Sequence, residues 1–182
     1  MRAGLPVRRA TRGGRDASTA PGKRAAARAV VMHHVILRTA WVYGAYGRNF
    51  VKTILRLGAK QPALRVVAVQ HGCFTAAADM IAGKSNKADQ SGGTFHLAGS
   101  GSVSWYGFEE IVRLAEKFGA WAGAPRPRVE PITTHQYKTP ARRPMNLRPD
   151  RRKIANSLSI SLSPWRARLA AVVRELAAKK NR

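Results

Sequence analysis

From residue 35 onward the chain alternates between short unbroken apolar runs and longer segments whose apolar residues recur at helical spacing. Val35-Ile36-Leu37 opens the first short run and predicts a strand over 35–39. Phe50, Val51, Ile54, Leu55 and Leu57 then predict a helix over 49–59, headed by Asn49. A second strand is expected over 64–69, a helix capped by Thr75 runs to about 83, and a third strand covers 94–98. Phe108, Ile111, Val112, Leu114 and Ala115 form one face of a helix predicted over 105–118, with Ser104 as its cap. A short strand at 128–132, a helical turn at 133–137, an irregular stretch at 140–149 and a brief helix at 150–156 follow. Ser163 and Pro164 announce the last helix, which continues to about 178. Strands alternating with helices predict an α/β layer with parallel or mixed pairing. Only three of the strands are well signalled, few for an independent doubly wound sheet.

Residues 1–30 read differently. They mix Arg, Gly, Ala, Ser and Pro with a single acid, Asp16, and carry no lasting periodicity, which predicts a disordered basic leader outside the body of the protein at 31–182. The alanine-rich stretch 23–32 predicts a short helix. Glycines and prolines at 4, 6, 13, 14, 21 and 22 interrupt the amphipathic helix that an organellar transit peptide needs, and no apolar core of a secretory signal is present. The segment 84–93, rich in Gly, Ser and Asn, predicts a surface loop.

Composition narrows the picture. A chain of 182 residues with 45% hydrophobic content can bury one core. It has no apolar run of about 18 residues and hence no predicted membrane-spanning helix. Cys73 is the one cysteine, which excludes an internal disulfide and a cysteine-rich zinc site and suits a reducing cytoplasm. His33, His34, His71, His96 and His135 are scattered, with no acid or thiol at ligand spacing, so no metal is expected. A net charge of +24 raises nucleic acid as a partner. The recognition patterns that would make such binding specific are missing, which leaves counterion-driven, salt-sensitive adhesion.

Two segments hold candidate chemistry. Gly99-Ser100-Gly101 follows a strand and looks like the start of a dinucleotide-binding turn. Ser104 stands where that fingerprint needs a third glycine, and no acid follows at about 20 residues to hold a ribose, so a tight strand-to-helix turn is the expectation. The other segment is Arg38-Thr39-Ala40-Trp41-Val42-Tyr43-Gly44. It places aromatics at the carboxyl end of a strand, where open α/β sheets collect ligands.

From Val35 onward the chain resembles the dTDP-4-dehydrorhamnose reductases, members of the extended short-chain dehydrogenase/reductase superfamily. The resemblance rests on Ile36 to Gly44, Asn49 to Thr53, Thr94 to Gly99, Ser104 to Phe108, Pro131 to Thr134, Thr139 to Pro144 and Leu162 to Arg166, in family order and spacing. It implies a partial Rossmann-like fold: the carboxyl-terminal strands plus a substrate-binding region. It also implies a family activity, reduction of dTDP-4-dehydro-L-rhamnose to dTDP-L-rhamnose with NADPH or NADH, in dTDP-rhamnose and cell-surface polysaccharide synthesis. The substrate-binding residues it implies are Trp41 on the deoxysugar, Tyr43 and Asn49 flanking it, Gln70 facing the same cleft and Arg143 at the pyrophosphate.

The departures are as informative. Neither the family's Gly-rich phosphate turn nor its Tyr-x-x-x-Lys pair occurs here, since Tyr43, Tyr46, Tyr106 and Tyr137 are followed four residues on by Gly47, Phe50, Glu110 and Ala141. Without them, no catalytic or cofactor-binding residue is expected, and NADPH or NADH is not expected to bind this chain alone. Val69 and Phe74 stand where the family's Asp-Gln-x-Gly-x-Pro-Thr loop has its acid and its proline. Three functions stay open on these grounds: the sugar-nucleotide-binding part of a cytoplasmic reductase, a non-catalytic regulatory subunit that associates through an exposed apolar face, and a basic nucleic-acid binder.

Overall fold

The computed structural model describes residues 35–82, 92–121, 126–137 and 143–180. The basic leader, the alanine-rich helix at 23–32, most of the loop at 84–93 and the start of the 140–149 stretch lie outside them. The order of elements is β1 (Val35–Arg38), β2 (Val42–Tyr43), α1 (Phe50–Gly58), β3 (Ala63–Val67), β4 (His71–Gly72), β5 (Thr75–Ala76) and α2 (Ala77–Ala82). After these come β6 (Gly93–His96), β7 (Val103–Ser104), a 3-10 turn (Tyr106–Glu109), α3 (Glu110–Lys117), β8 (Arg128–Ile132), a second 3-10 turn (Thr134–Gln136), β9 (Asn146–Leu147), α4 (Arg152–Leu158) and α5 (Trp165–Lys180).

The chain is α/β, and its ladders are mainly parallel. β1 pairs with β6, β2 with β5 and β3 with β8, each in parallel. β4 lies between an antiparallel β7 and a parallel β9, so His71 has Ser104 on one side and Asn146 on the other. This small mixed sheet ties the start of the 146–149 segment to the middle of the chain.

Local chemistry explains most boundaries. The Asn49 side chain accepts from the Lys52 N–H at 3.2 Å, capping α1, and its Nδ2 donates to the Gly44 carbonyl at 2.8 Å. Ser104 Oγ accepts from the Gly107 N–H at 2.9 Å. The helix expected over 105–118 therefore starts as a 3-10 turn and becomes α-helical only at Glu110. Thr75 departs from its expected capping role. It is fully buried in β5, its hydroxyl donates to the Ala40 carbonyl at 3.0 Å and accepts from the Gly99 N–H at 3.4 Å, tying three strand ends together.

α3 packs against both α1 and α5. Beneath them lies the main core, with Tyr43, Phe74, Phe108, Ile111, Val112, Trp121, Trp165, Leu169 and Val173 buried. Burying an aromatic of this size contributes about 2–3 kcal/mol. A smaller cluster joins Phe95 and Leu97 to Ile154 and Leu158 of α4. Close approach fixes Gly58, where an added Cβ would come within 2.6 Å of the Trp121 ring, whose Nε1 donates to the Leu55 carbonyl at 2.9 Å.

Candidate functional site

The parallel pair β1–β6 ends with Arg38 beside His96. Just past those carboxyl ends a groove of about 300 Å³ opens, floored by Arg38, Thr39 and Ala40, with His96 beside them and Asn146 to Pro149 as its wall. Arg38 and Arg148 make it electropositive. The Thr39 hydroxyl oxygen is buried there with no hydrogen-bond partner. An unsatisfied buried hydroxyl costs about 1–3 kcal/mol, so a polar ligand atom would find a waiting partner. The void of about 10 Å³ beneath Phe50, Trp105 and Phe108 is internal to the core and holds at most a water.

Trp41 follows the groove floor directly. Its backbone is left-handed, with φ of 49°. That conformation is a genuine outlier for a bulky side chain and strains the backbone at this point. The indole stacks on Trp105, with centroids 3.9 Å apart, and meets Phe74 edge-on at 4.7 Å. It also lies over Gly72, where a Cβ would sit 2.8 Å from the ring. The result is a half-buried aromatic platform at the strand end.

The other expected site residues are distributed as follows. Tyr43 is 1% exposed, and its hydroxyl donates to the Trp165 carbonyl at 3.0 Å. Burial first, then the charge of Asp79, pushes its phenol up, against the pull of Arg168. Tyr43 is committed to the core rather than to a surface a ligand can reach. Asn49 spends its side chain on the α1 cap and on the loop at Gly44. Gln70 is buried, its side-chain Nε2 donates to the Thr134 hydroxyl at 3.1 Å, and its backbone carbonyl accepts from the Trp105 backbone N–H at 3.3 Å, so the chain at Gln70 braces Trp105. Arg143 is exposed and is not among the residues lining the groove. Trp41 thus follows the groove floor in the chain without lining the groove, Gln70 supports Trp105, and Tyr43, Asn49 and Arg143 stand apart.

Arg38, Thr39, His96 and Arg148 were not singled out from sequence as binding residues. Position at a strand's carboxyl end could have marked Arg38 and Thr39; nothing local marks His96 or Arg148, which arrive through the β1–β6 ladder and β9. Nearby, Cys73 is buried, and that burial raises its thiol pKa against the opposing charges of Arg151 and Arg148.

The described residues do not fit a dinucleotide. At Gly99, the place of a Cβ lies 2.1 Å from the Phe74 carbonyl, and Gly101 packs its open side on the Trp165 ring. Internal packing therefore accounts for both glycines of the turn. Among the described residues no three His, Cys, Asp or Glu side chains gather as a metal site, and no helix is long and apolar enough to cross a membrane.

The chain is similar to several known proteins. The family model described as RmlD substrate binding domain matches residues 17–178. The dTDP-4-dehydrorhamnose reductase of Sinorhizobium fredii is 40% identical over 142 residues, covering 73% of this chain and 47% of that protein. The Escherichia coli K12 enzyme of the same name is 35% identical over 153 residues, or 79% of this chain and 50% of that protein. Among solved structures, a dTDP-4-dehydrorhamnose reductase from Clostridium acetobutylicum superposes with a TM-score of 0.73 at 31% identity, over 84% of this chain and 52% of that one. One from Bacillus anthracis, solved in complex with NADP, gives 0.65 at 32% identity, over 79% of this chain and 48% of that one. The chain spans about half the length of the relatives it matches.

Proposed function

Because the chain belongs to the RmlD substrate binding domain family, we propose that it grips the sugar nucleotide on which a dTDP-4-dehydrorhamnose reductase acts and does not itself carry out the reduction. One observation carries this reading: a tryptophan held in a left-handed backbone beside an electropositive groove at a strand's carboxyl end. An indole face suits the apolar side of a deoxysugar. Arg38 and Arg148 suit a diphosphate, with bidentate contact open to each guanidinium. The Thr39 hydroxyl would take a polar atom of the ligand. Tyr43, Asn49 and Gln70 act at one remove, holding the strand end, the loop at Gly44 and Trp105 so that Trp41 keeps its place. Arg143 supplies outlying positive charge.

The reduction needs a hydride, which a nicotinamide cofactor supplies, and an acid for the ketone oxygen. This chain has no Tyr-x-x-x-Lys pair, and the glycines of its one Gly-x-Gly turn among the described residues are accounted for by close packing on Phe74 and Trp165. No step of hydride transfer is assigned to it. The setting we infer is the cytoplasm, where nucleotide sugars are made.

Isothermal titration of the full chain with dTDP-L-rhamnose tests the reading. Saturable binding is expected, weakened about tenfold or more, or some 1.4 kcal/mol, by Trp41→Ala. Absence of binding at millimolar ligand would sink it. Robust NADPH consumption by the chain alone with the 4-keto sugar nucleotide would refute the claim that it lacks the reducing machinery.

A further inference from the structure

The helices divide by charge. On α3 Arg113 pairs with Glu110, while Glu109 and Glu116 are both held by Arg126. On α5 Arg168 pairs with Asp79 and Lys179 with Glu175. α1 has no such partners. The chain carries no acid between Asp16 and Asp79. Among the described residues none of Arg48, Lys52, Arg56 and Lys60 forms an ion pair.

These four cations run the length of α1 at four-residue intervals. Within the helix that interval is one turn, about 6 Å of rise. Arg48 precedes the Asn49 cap. Lys60 follows in the closing turn, where its N–H donates to the Leu57 carbonyl at 2.9 Å. Val51 and Ile54 bury the other side of the helix in the core.

An aromatic stands at the head of this row. Tyr46 is 79% exposed on the loop between Gly44 and Asn49. Two side chains of the α1 start tie that loop down: Asn49 Nδ2 donates to the Gly44 carbonyl, and Lys52 Nζ to the Ala45 carbonyl at 3.4 Å. Lys179 Nζ, from α5, lies 4.1 Å from the Tyr46 ring centre. One face of the ring is therefore backed by charge, and the remainder is open to solvent.

We propose that Tyr46 and the cations of α1 form a binding surface for single-stranded nucleic acid, with phosphates along the helix and a base stacked on the tyrosine. Backbone phosphates supply sequence-independent affinity. An exposed ring beside a basic track gives a base a face to lie on. A duplex fits less well, because its bases are already stacked on one another and closed to Tyr46. An anionic membrane also fits less well: α1 keeps its apolar side in the core and has none to lay into a bilayer. The proposal is independent of sugar binding in the groove at Arg38 and Thr39. It gives a location to part of the adhesion that a net charge of +24 implies.

Fluorescence anisotropy of the full chain with a labelled oligothymidylate, across a range of KCl, tests it. Arg56→Gln combined with Lys60→Gln should flatten the slope of log affinity against log salt by about 1.4, two phosphates at about 0.7 each. Tyr46→Ala should weaken binding about tenfold, and Tyr46→Phe should restore it. Lys153→Gln, on α4 against Thr94 and Phe95, should leave the slope unchanged. Tyr46, Arg56 and Lys60 face water, so circular dichroism should show the variants folded. Should one misfold, photocrosslinking of the natural chain to a bromodeoxyuridine oligonucleotide decides instead: the crosslink should map to residues 44–48. An unchanged slope in the double variant, full binding by Tyr46→Ala, or equal or tighter binding of a duplex of the same length would each overturn the proposal. So would crosslinks confined to residues 1–30. Loss of binding to phosphatidylserine vesicles in the double variant, with oligothymidylate binding intact, would overturn it in favour of a membrane surface.

Discussion

Trp41 stacks on Trp105 with ring planes 26° from parallel, although the two indoles stand 64 residues apart in the chain. Trp41 closes the strand that floors the groove; Trp105 opens the turn leading into α3. Gly72 lies under the first of them with no space for a methyl group. Groove, platform and support are thus one packed unit.

That packing makes Gly72 and Trp41 energetically coupled. Gly72→Ala should destabilise the chain by about 1–3 kcal/mol, the usual cost of overpacking. In the background of Trp41→Ala the same change should cost much less, since the obstructing ring is gone. Urea unfolding of the two single variants and the double variant measures the coupling, and additive costs would show that Gly72 and Trp41 do not share a contact.

Tyr43 should govern alkaline stability. Its phenol is held neutral in the fold, with the pKa raised by burial and by Asp79. The folded state therefore keeps a proton that the unfolded state releases near pH ~10. This contribution is fully present below that pH and lost as pH rises beyond it. Tyr43→Phe should cost about 1 kcal/mol at neutral pH by leaving the Trp165 carbonyl without its donor. The variant should also show a shallower fall in melting temperature above pH ~10.

Asp79 is 3% exposed, and Arg168 Nε contacts its Oδ1 at 2.7 Å. Arg168→Leu strands that carboxylate. A loss of about 2–4 kcal/mol is expected, moderated because the arginine is itself 45% exposed. Adding Asp79→Asn should recover part of it. Thermal melts of the three variants check the order.

Asp150 should titrate at about 2, because the Arg152 side chain and backbone N–H both donate to it. Carboxyl-carbon NMR against pH should show that midpoint, and Arg152→Ala should raise it only part of the way towards the ordinary aspartate range, because the backbone N–H still donates. The depressed value favours the fold above that ordinary range and the benefit fades as pH falls towards 2. As the group is exposed, the effect on overall stability should be small.

Asn49→Ala separates a positioning role from direct ligand contact. Loss of the α1 cap should cost about 1 kcal/mol. A ligand bound through Trp41 should be weakened only as far as the Gly44 loop loosens, so titration with dTDP-L-rhamnose should show a smaller change than Trp41→Ala does.

Local pattern was enough for the longer elements. The apolar spacing of Phe50, Val51, Ile54, Leu55 and Leu57 and the Asn49 cap made α1 readable, as Ser163-Pro164 did for α5 and the run Leu64 to Val67 for β3. Five strands of two residues, β2, β4, β5, β7 and β9, were missed. A pair of residues has no period to detect, and such ladders form only because the core brings the two segments side by side. Thr75 shows the same limit. Its sequence context is that of a helix cap, but partners at Ala40 and Gly99 claim its hydroxyl.

The amino-acid sequence by itself settled the α/β alternation, the family likeness, the lack of a Tyr-x-x-x-Lys pair and the place of Trp41 just after a strand, all matters of order and spacing along the chain. Tertiary structure decided which polar groups remain available to a ligand. Tyr43 gives its hydroxyl to a carbonyl 122 residues away, and Arg38 meets His96 and Arg148 across a groove. Burial and hydrogen-bond satisfaction depend on neighbours distant in sequence, and only packing brings those neighbours together.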